Sequence, residues 1–545
     1  MRMHQPPSFL RAPLWRLCAL LWLLVASAVP VGAQVQAPKV GKYYEDSVDL
    51  GFKMKTPAEW DLIPPQPGEP NLIAKFTPPL EKYVLVAGKP LYIDAHLVKF
   101  DRRKKDEPKA EGDDKKPKLD LSGPGRKDVV AWVTAEYGRT YKSQGAPKDT
   151  TINKVPAKVH EWSGLDESGE GGWIKAWSFK LHENVDVAFV VVYPGDAKKA
   201  AKWEGPFDQM AKSFAPVAVK ALASATAAGD DVRSQKRAKL QTEVAKLGGK
   251  WKLHETPNYF ILSDHEDKAF IKELQERLEA IRKQFEIDYP YEKAQELRKA
   301  GEGLQTGSDA EKRERAGESE FAKQILGDAD PRELSRCSVV RVMTDQAAYH
   351  SYGGPGGSAG YWAWVHQELV IYDDQKGGGR NDTWLVLNHE AFHQYIFYLY
   401  GNISPHSWYN EGTGDYYSGY KWYGGRFEQE KAAWRVEEIR DLIRTNHFVP
   451  LADLVRFTQQ EYYGQNKYGA GAGENYAQGW SFIYFLRTGK KKGAKNWNAD
   501  WDKILDTYFK TLAMTGNLNQ AVEDAFRGID MELLTESWKD YIVSK

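Results

Sequence analysis

The apolar stretch at residues 384–399 constrains the fold of this chain more than any other part of it. Its aromatic and aliphatic side chains lie round most of a helical cylinder, which is typical of a helix buried inside a domain. His389 and His393 stand four residues apart and therefore project from one face of that helix. Buried imidazoles need polar partners, and one metal ion would serve both. We therefore expect a buried helix, N-capped by Asp382 or Thr383, that presents two metal ligands.

Carboxylates near the two histidines complete a pattern suited to hydrolysis. Glu390 lies beside the metal position and can accept a proton from a water whose pKa a zinc ion lowers. Glu411 follows His393 after seventeen residues and is the best candidate for a third ligand. If residues 409–423 form a helix, Asp415 shares a face with Glu411 and can orient a ligand histidine. The sequence thus predicts a site for Zn²⁺.

The motif His-Glu-Ala-Phe-His, followed by Asn-Glu-Gly-Thr-Gly-Asp, resembles that of the gluzincins, zinc metallopeptidases whose third ligand is a glutamate. The nearest likeness is to the peptidase MA-like family of bacterial exported proteins, and it covers residues 250–545. The resemblance implies a zincin-like domain with a helical C-terminal lobe. It also implies roles for the motif residues. His389, His393 and Glu411 would be zinc ligands, Glu390 the general base, and Asp415 a residue behind the ligands that orients a ligand histidine.

Many gluzincins place a Tyr or His some tens of residues after the motif, against the developing oxyanion. By resemblance, Tyr476 takes that catalytic role here. The residues alone leave the role open, because Tyr476 can also be an ordinary buried aromatic. Tyr416, Tyr417 and Tyr463 compete for the same position.

These features lead to two functional hypotheses. The first is a zinc metallopeptidase acting on peptides or proteins. An endopeptidase is favoured because no motif resembles the Met-Glu-Asn-type anchor for a free amine in some gluzincin aminopeptidases. The alternative is a non-catalytic protein that binds a peptide or glycan on a zincin-like scaffold. Glu390 argues against the alternative, because a structural zinc site is closed by a fourth ligand and has no use for a base.

The N-terminal residues predict export. Arg2, Arg11 and Arg16 precede an apolar run at 17–29, and Val-Gly-Ala at 31–33 offers a small-residue cleavage site. We therefore expect a signal peptide at 1–33 and a periplasmic or extracellular protein. The run is shorter than the roughly twenty residues of a membrane-spanning helix, so no stable span is expected after cleavage.

Composition limits the partners and the fold class. Lys plus Arg and Asp plus Glu both number 75, so no basic field favours nucleic acid. After signal cleavage only Cys337 remains, which excludes an intramolecular disulfide. A hydrophobic content of 42% predicts sizeable cores, and 545 residues are enough for two or three domains.

Residues 40–218 are expected to form an α+β domain. Short strands with partial alternation and Pro-rich turns predict a half-buried antiparallel sheet, covered by helices near 126–144 and 204–213. The order of elements loosely resembles the PsbP-type sandwich. The mixed charges at 100–118 predict a solvated loop. Residues 219–249 read as a linker followed by a helix near 232–247.

Residues 250–545 alternate strands and helices before a helical end. A strand at 256–263 and an amphipathic helix at 267–285 resemble the start of the peptidase MA-like domain. A glycine-rich run ending at Gly360 lacks the Lys-Ser/Thr of a phosphate loop, which argues against nucleotide binding. The strand at 361–366 is either a sheet edge that pairs with extended substrate or an ordinary hairpin strand. We expect further segments: a strand at 339–344, an exposed insert at 299–320, and helices at 480–486, 497–511, 518–526 and 531–543.

Overall fold

The computed structural model describes residues 38–78, 84–86, 89–91, 93–103, 125–138, 140–165, 171–220, 231–248, 250–301, 329–375, 379–400, 403–430 and 433–544. Four predicted segments lie wholly or largely outside these residues: the signal peptide at 1–33, the loop at 100–118, the linker after 220 and the insert at 299–320. Within the described ranges, no helix combines the length and apolar character needed to cross a membrane.

The described N-terminal residues form antiparallel sheets. The larger sheet has eight strands in the order β3-β4-β7-β12-β11-β10-β8, with β9 also paired to β10, and a smaller one has the order β1-β2-β13. The strands are β1 (Val40–Asp46), β2 (Phe52–Pro57), β3 (Asp61–Ile63), β4 (Leu72–Thr77), β5 (Val84–Val86), β6 (Lys89–Leu91), β7 (Asp94–Asp101), β8 (Lys142–Ser143), β9 (Lys148–Ile152), β10 (Val155–Leu165), β11 (Gly171–His182), β12 (Val185–Pro194) and β13 (Ala215–Pro216).

The centre of the larger sheet is covered on both faces, which corrects the expectation of a half-buried sheet. Two helices flank it, α1 (Val129–Glu136) and α2 (Ala197–Lys212). Val190 of β12 packs in the core that includes α1, whereas Phe189 and Val191 pack in the core that includes α2. Because successive strand residues point to opposite faces, β12 is apolar at every position from Val187 to Tyr193, where both of its faces are covered.

The C-terminal part is built on a five-stranded mixed sheet in the order β14-β15-β16-β18-β17. Its three inner strands are parallel, and the outer strands β14 and β17 run antiparallel to their neighbours. The strands are β14 (Lys252–Glu255), β15 (Tyr259–Ser263), β16 (Ser338–Met343), β17 (Gly360–Ala363) and β18 (Glu368–Tyr372), and a separate hairpin pairs β19 (Tyr420–Trp422) with β20 (Phe427–Gln429).

Helices cover both faces of this sheet and continue to the end of the described chain. They are α3 (Val232–Leu247), α4 (Lys268–Asp288), α5 (Tyr291–Gly301), α6 (Pro331–Ser335), α7 (Gln346–Tyr352), α8 (Arg380–Tyr400), α9 (Ser407–Ser418), α10 (Ala433–Arg444), α11 (Leu451–Leu454), α12 (Gln459–Tyr462), α13 (Ala472–Thr488), α14 (Ile504–Thr515), α15 (Leu518–Ala525) and α16 (Met531–Ser544). Ile261 and Val340 face the core that contains α4 and α8. Phe260 and Val339 face the core that contains α3 and α7.

Most predicted elements of this part are confirmed, with shifted ends. The helix near 232–247 is α3, and the helix predicted at 267–285 is α4, with Asp267 as its N-cap. The helix predicted at 497–511 opens as a 3₁₀ turn, Ala499–Lys503, before α14. The strand predicted at 361–366 ends at Ala363, because the His366 N–H bonds back to the Ala363 carbonyl oxygen at 3.0 Å and closes a turn.

Helix α8 begins earlier than the predicted N-cap at Asp382 or Thr383. It starts at Arg380, and Thr383 is buried inside it. The Thr383 hydroxyl donates to the carbonyl oxygen of Tyr372 at 3.2 Å and accepts the Asp374 N–H at 2.9 Å. The hydroxyl therefore joins α8 to the end of strand β18, and it is not free to cap the helix.

The N-terminal and C-terminal sheets share an interface. Ile63 of β3 lies in the same core as Trp251, and the Trp251 indole N–H donates to the carbonyl oxygen of Leu62 at 3.1 Å. Nearby, the Thr77 hydroxyl donates to the Ser351 hydroxyl at 2.8 Å. The domain limits at 40–218 and 250–545 stay predictions, because apolar packing crosses between these parts.

Candidate metal centre

Helices α8 and α9 bring the three predicted ligands together. Nε2 of His389 lies 3.1 Å from Oε2 of Glu411, and Nε2 of His393 lies 3.2 Å from the same oxygen. One ligand atom from each residue lies within 4.8 Å of the other two. Two imidazole nitrogens and one carboxylate oxygen form a donor set that divalent transition metals accept. Among the described residues, this is the one group of His, Cys, Asp or Glu with that spacing.

Side-chain oxygens hold the far nitrogens of both imidazoles. Nδ1 of His389 donates to Oδ1 of Asp415 at 3.0 Å, and Nδ1 of His393 donates to Oδ1 of Asn410 at 3.1 Å. Nε2 of each ring therefore faces Glu411, as a ligand nitrogen must. The Asp415 contact was predicted. The Asn410 contact was not, although its place next to Glu411 in the sequence was a usable signal.

Arg435 of α10 supports this arrangement from behind. Its Nε donates to Oδ2 of Asp415 at 2.9 Å. Asp415 therefore accepts from the Arg435 guanidinium with one oxygen and from the His389 ring with the other. The Arg435 guanidinium also lies over the Tyr476 ring, 5.3 Å from its centre. Sequence reasoning gave Arg435 no role, because nothing in its neighbourhood marks a contact with a residue twenty positions earlier.

Two glycines let α9 come close enough to place Glu411. A Cβ on Gly414 would lie 2.9 Å from two atoms of the His389 ring. A Cβ on Gly412 would lie 2.6 Å from the carbonyl oxygen of Gly479 in α13. Real Cβ atoms essentially never approach so closely, so larger residues would push the helices apart. The small residues on either side of Thr413 therefore serve close helix packing.

The electrostatic surroundings of the cluster favour the ionised form of Glu411 and the protonated form of His389. Burial acts to lower the pKa of His389, but the contacts with Asp415 and Glu411 outweigh it and raise that pKa well above its usual value. Burial acts to raise the pKa of Glu411, but His393 and His389 hold it well below the usual range. An anionic oxygen facing two imidazoles is the electrostatic setting of a cation site.

Glu390 stands apart from the three ligands and faces the edge of the C-terminal sheet. The backbone N–H of Trp362 in β17 donates to Oε2 of Glu390 at 2.9 Å. The carboxylate is thus held between the edge strand and the His389 side of the cluster. The contact engages one of the two carboxylate oxygens, and the role of Glu390 as a base stays a prediction.

Two tyrosine hydroxyls reach the cluster. The Tyr463 hydroxyl donates to Oε1 of Glu411 at 2.9 Å and lies 3.2 Å from the Tyr476 hydroxyl. The Tyr476 ring stacks on His389 with centres 6.3 Å apart. Loss of hydration at the hydroxyl ends, reinforced by the charge of Glu411, raises the pKa of both phenols, so both keep their protons. Tyr417 is engaged elsewhere, because its hydroxyl donates to Asp288 at 2.5 Å.

Tyr476 therefore lies at the site as predicted, and its catalytic role stays a prediction. Of its competitors, Tyr463 makes the direct contact with a ligand residue. The Tyr416 ring packs against Tyr417 and Tyr420, away from the ligands.

No protein-family model matches the chain, and no curated protein matches it. The PsbP protein CyanoP from Synechocystis sp. PCC 6803 is similar to part of it, with 11% identity over 35% of this chain and 98% of that one, at a TM-score of 0.22. LpqN, a Mycobacterium tuberculosis protein involved in cell envelope biogenesis, shares 12% identity over 32% of this chain and 90% of its own, at a TM-score of 0.20. The Saccharomyces cerevisiae Ran-binding protein Mog1p shares 10% identity over 32% of this chain and 95% of its own, at a TM-score of 0.20. Likeness at these TM-scores carries no argument about function.

Proposed function

We propose that this protein is an exported zinc metallopeptidase of gluzincin type that acts as an endopeptidase. One observation carries the proposal: His389, His393 and Glu411 converge, while Glu390, which follows His389 in α8, stays outside the ligand set and bonds to the Trp362 N–H. A purely structural metal site needs no such carboxylate. The export part of the proposal rests on the residues at 1–33.

The residues of the site divide the work of amide hydrolysis among them. When bound, zinc supplies Lewis acidity and a water that loses its proton near neutral pH. Glu390 takes that proton and later delivers it to the leaving amine, while the Trp362 N–H keeps its carboxylate oriented. The Tyr476 hydroxyl turns its proton from the Tyr463 oxygen to the oxyanion that develops on the attacked carbonyl.

Strand β17 is the proposed support for an extended substrate. It is the last strand in the sheet order, paired with β18 on one side. The Trp362 N–H points away from β18, towards Glu390, and the carbonyl of a strand residue points to the same side as its N–H. A peptide added along this edge would pass beside the general base, which supports an endopeptidase over an enzyme that needs a free chain end.

The decisive test combines metal content with cleavage of a peptide library. The purified protein is expected to hold about one zinc ion per chain and to cleave peptides in a chelator-sensitive way. Glu390→Gln is expected to keep the metal and lose cleavage, whereas His393→Ala should lose both. Glu437→Gln, at an exposed position on α10, is the matched control and should retain both.

The results separate the enzyme from the binding protein. Zinc binding without cleavage of any peptide by the wild type would favour the non-catalytic alternative. Cleavage by Glu390→Gln at the wild-type rate would show that the base is wrongly assigned. For export, the mature protein recovered outside the cytoplasm is expected to begin at Gln34, and recovery of the full-length chain there would contradict cleavage at 33.

A further inference from the structure

We infer that Tyr463 is a positioning residue that makes Glu411 bind its metal through one oxygen only. The inference rests on the proposed metal site. The two oxygens of the Glu411 carboxylate have different partners: Oε2 faces Nε2 of His389 and of His393, and Oε1 receives the Tyr463 hydroxyl at 2.9 Å.

The Tyr463 hydroxyl is a donor in this contact. The hydrogen bond runs from the phenol oxygen to Oε1, because the carboxylate of a metal-binding glutamate can only accept hydrogen bonds. A hydrogen bond between a hydroxyl and a carboxylate is charge-assisted and stronger than a neutral one.

The backbone that carries Tyr463 is fixed independently of the metal centre. The preceding residue, Tyr462, is buried and donates its hydroxyl to the carbonyl oxygen of Asn475 at 2.8 Å. The Asn475 amide donates back to the Tyr462 carbonyl oxygen at 2.8 Å. A capping box between Thr458 and Glu461 closes the other end of α12. The phenol is therefore aimed at Glu411 by a rigid support.

A carboxylate held in this way leaves room at the metal. With Oε1 engaged by Tyr463, Glu411 offers a single oxygen, and His389 and His393 offer one nitrogen each. Three protein donors leave a tetrahedral position open, which is the mark of catalytic zinc sites. Without the hydroxyl, Oε1 is free to turn towards the metal and bind as an additional donor, which raises the coordination number above four and crowds the open position.

The test replaces the hydroxyl and uses Co²⁺ alone as a visible probe of coordination. Tyr463→Phe keeps the ring, and the Tyr463 side chain is 43% exposed, so the variant should fold as the wild type does. Tyr423→Phe is the matched control, because Tyr423 is 48% exposed and donates to a surface carboxylate, Glu430, at 2.5 Å.

Tyr463→Phe is expected to bind Co²⁺ roughly 10- to 100-fold more weakly, as for loss of other outer contacts to metal ligands. Its visible absorption per bound ion should also fall, because d–d bands lose intensity as the coordination number rises. Tyr423→Phe should match the wild type in both readouts.

The failures of the two proposals can be told apart. If Tyr463→Phe and wild type show the same Co²⁺ affinity and spectrum, the positioning role is overturned and the metal site stands. If the wild type binds Co²⁺ but cleaves no peptide, the peptidase proposal fails, and the spectral change in Tyr463→Phe still decides the positioning role. A wild type that binds no Co²⁺ overturns both.

Discussion

Asn410 holds His393 from the helical turn that also bears Glu411, with its Oδ1 3.1 Å from Nδ1 of the imidazole. Asn410 and Glu411 are consecutive in α9, yet they contact opposite nitrogens of the same ring. One short segment of α9 therefore provides one proposed ligand and sets the orientation of another. The Asp415 contact to His389 repeats this arrangement one turn later.

The first prediction concerns Asn410→Ala. Loss of the Oδ1 acceptor frees the His393 ring to rotate, so the metal affinity should fall roughly 10- to 100-fold. Competition with a chromogenic chelator measures this. Gln465→Ala, which removes an exposed amide, serves as the control and should leave the affinity unchanged. An equal affinity for Asn410→Ala and wild type would mean that the ring is held by other contacts.

The second prediction concerns the close approach of α9 to α8. Gly414→Ala places a methyl group 2.9 Å from the His389 ring, so it should destabilise the protein by roughly 1 to 3 kcal/mol and weaken metal binding. Urea denaturation and metal titration measure the two effects. Gly473→Ala is the control, because its Cβ would meet only the flexible tip of Glu438, at 3.3 Å. Equal losses in both variants would refute a specific role for Gly414.

The third prediction concerns the pH dependence of stability. Burial, together with Asp345 and Asp264, raises the pKa of Asp61 from 3.8 to about 7. Burial also raises the pKa of Asp264, to about 6, with Lys250 acting in the opposite direction. The folded state thus binds more protons than the unfolded state, so the stabilising contribution is full below pH 3.8 and is lost as pH rises through about 7.

Asp61→Asn should therefore raise the free energy of unfolding at pH 8 and change it little at pH 4. The gain should be roughly 1 to 3 kcal/mol, less than the full shift implies because solvent still reaches Asp61 in part. Denaturation at several pH values measures it. Asp149→Asn, at an exposed position, should give no such gain. A gain that is the same at pH 4 and pH 8 would contradict the assignment.

The fourth prediction concerns a buried group of charges formed by two neighbouring strands of the C-terminal sheet, β16 and β18, and helix α3. Arg341 is 1% exposed and pairs with Glu368 at 2.8 Å and Glu243 at 2.7 Å. Glu368→Gln removes one charge and should cost about 3 kcal/mol, because a buried cation loses a partner while Glu243 remains. In contrast, Glu437→Gln breaks an exposed pair with Arg440 and should cost under about 1 kcal/mol. Similar costs in urea denaturation would show that burial does not matter here.

Residues close in sequence could be assigned from the sequence alone. The spacing of His389 and His393 predicts a shared face of one helix, and α8 has it. Glu411 and Asp415 are also four residues apart, and this spacing predicts that they share one face of α9, because an α-helix turns by the same angle at every residue. These local relationships account for the part of the site that was predicted.

Contacts between distant elements could not be assigned in this way. Tyr463 reaches Glu411 across 52 positions, and the Trp362 N–H reaches Glu390 across 28. The sequence around Tyr463 or Trp362 does not indicate its partner, because these contacts depend on how the helices and the sheet pack together. The same reason explains the wrong N-cap at Thr383, whose hydroxyl binds a strand eleven positions earlier.

The contact between Gly412 and Gly479 leaves bare backbone on both sides of the crossing of α9 and α13. A Cβ on Gly412 would also lie 3.0 Å from a side-chain carbon of Ile483, so the helices are close-packed at this crossing. A displacement of the helix that bears Tyr476 would therefore act directly on the backbone of the helix that bears Glu411. A ligand that displaced Tyr476 would therefore also displace Glu411, the proposed metal ligand.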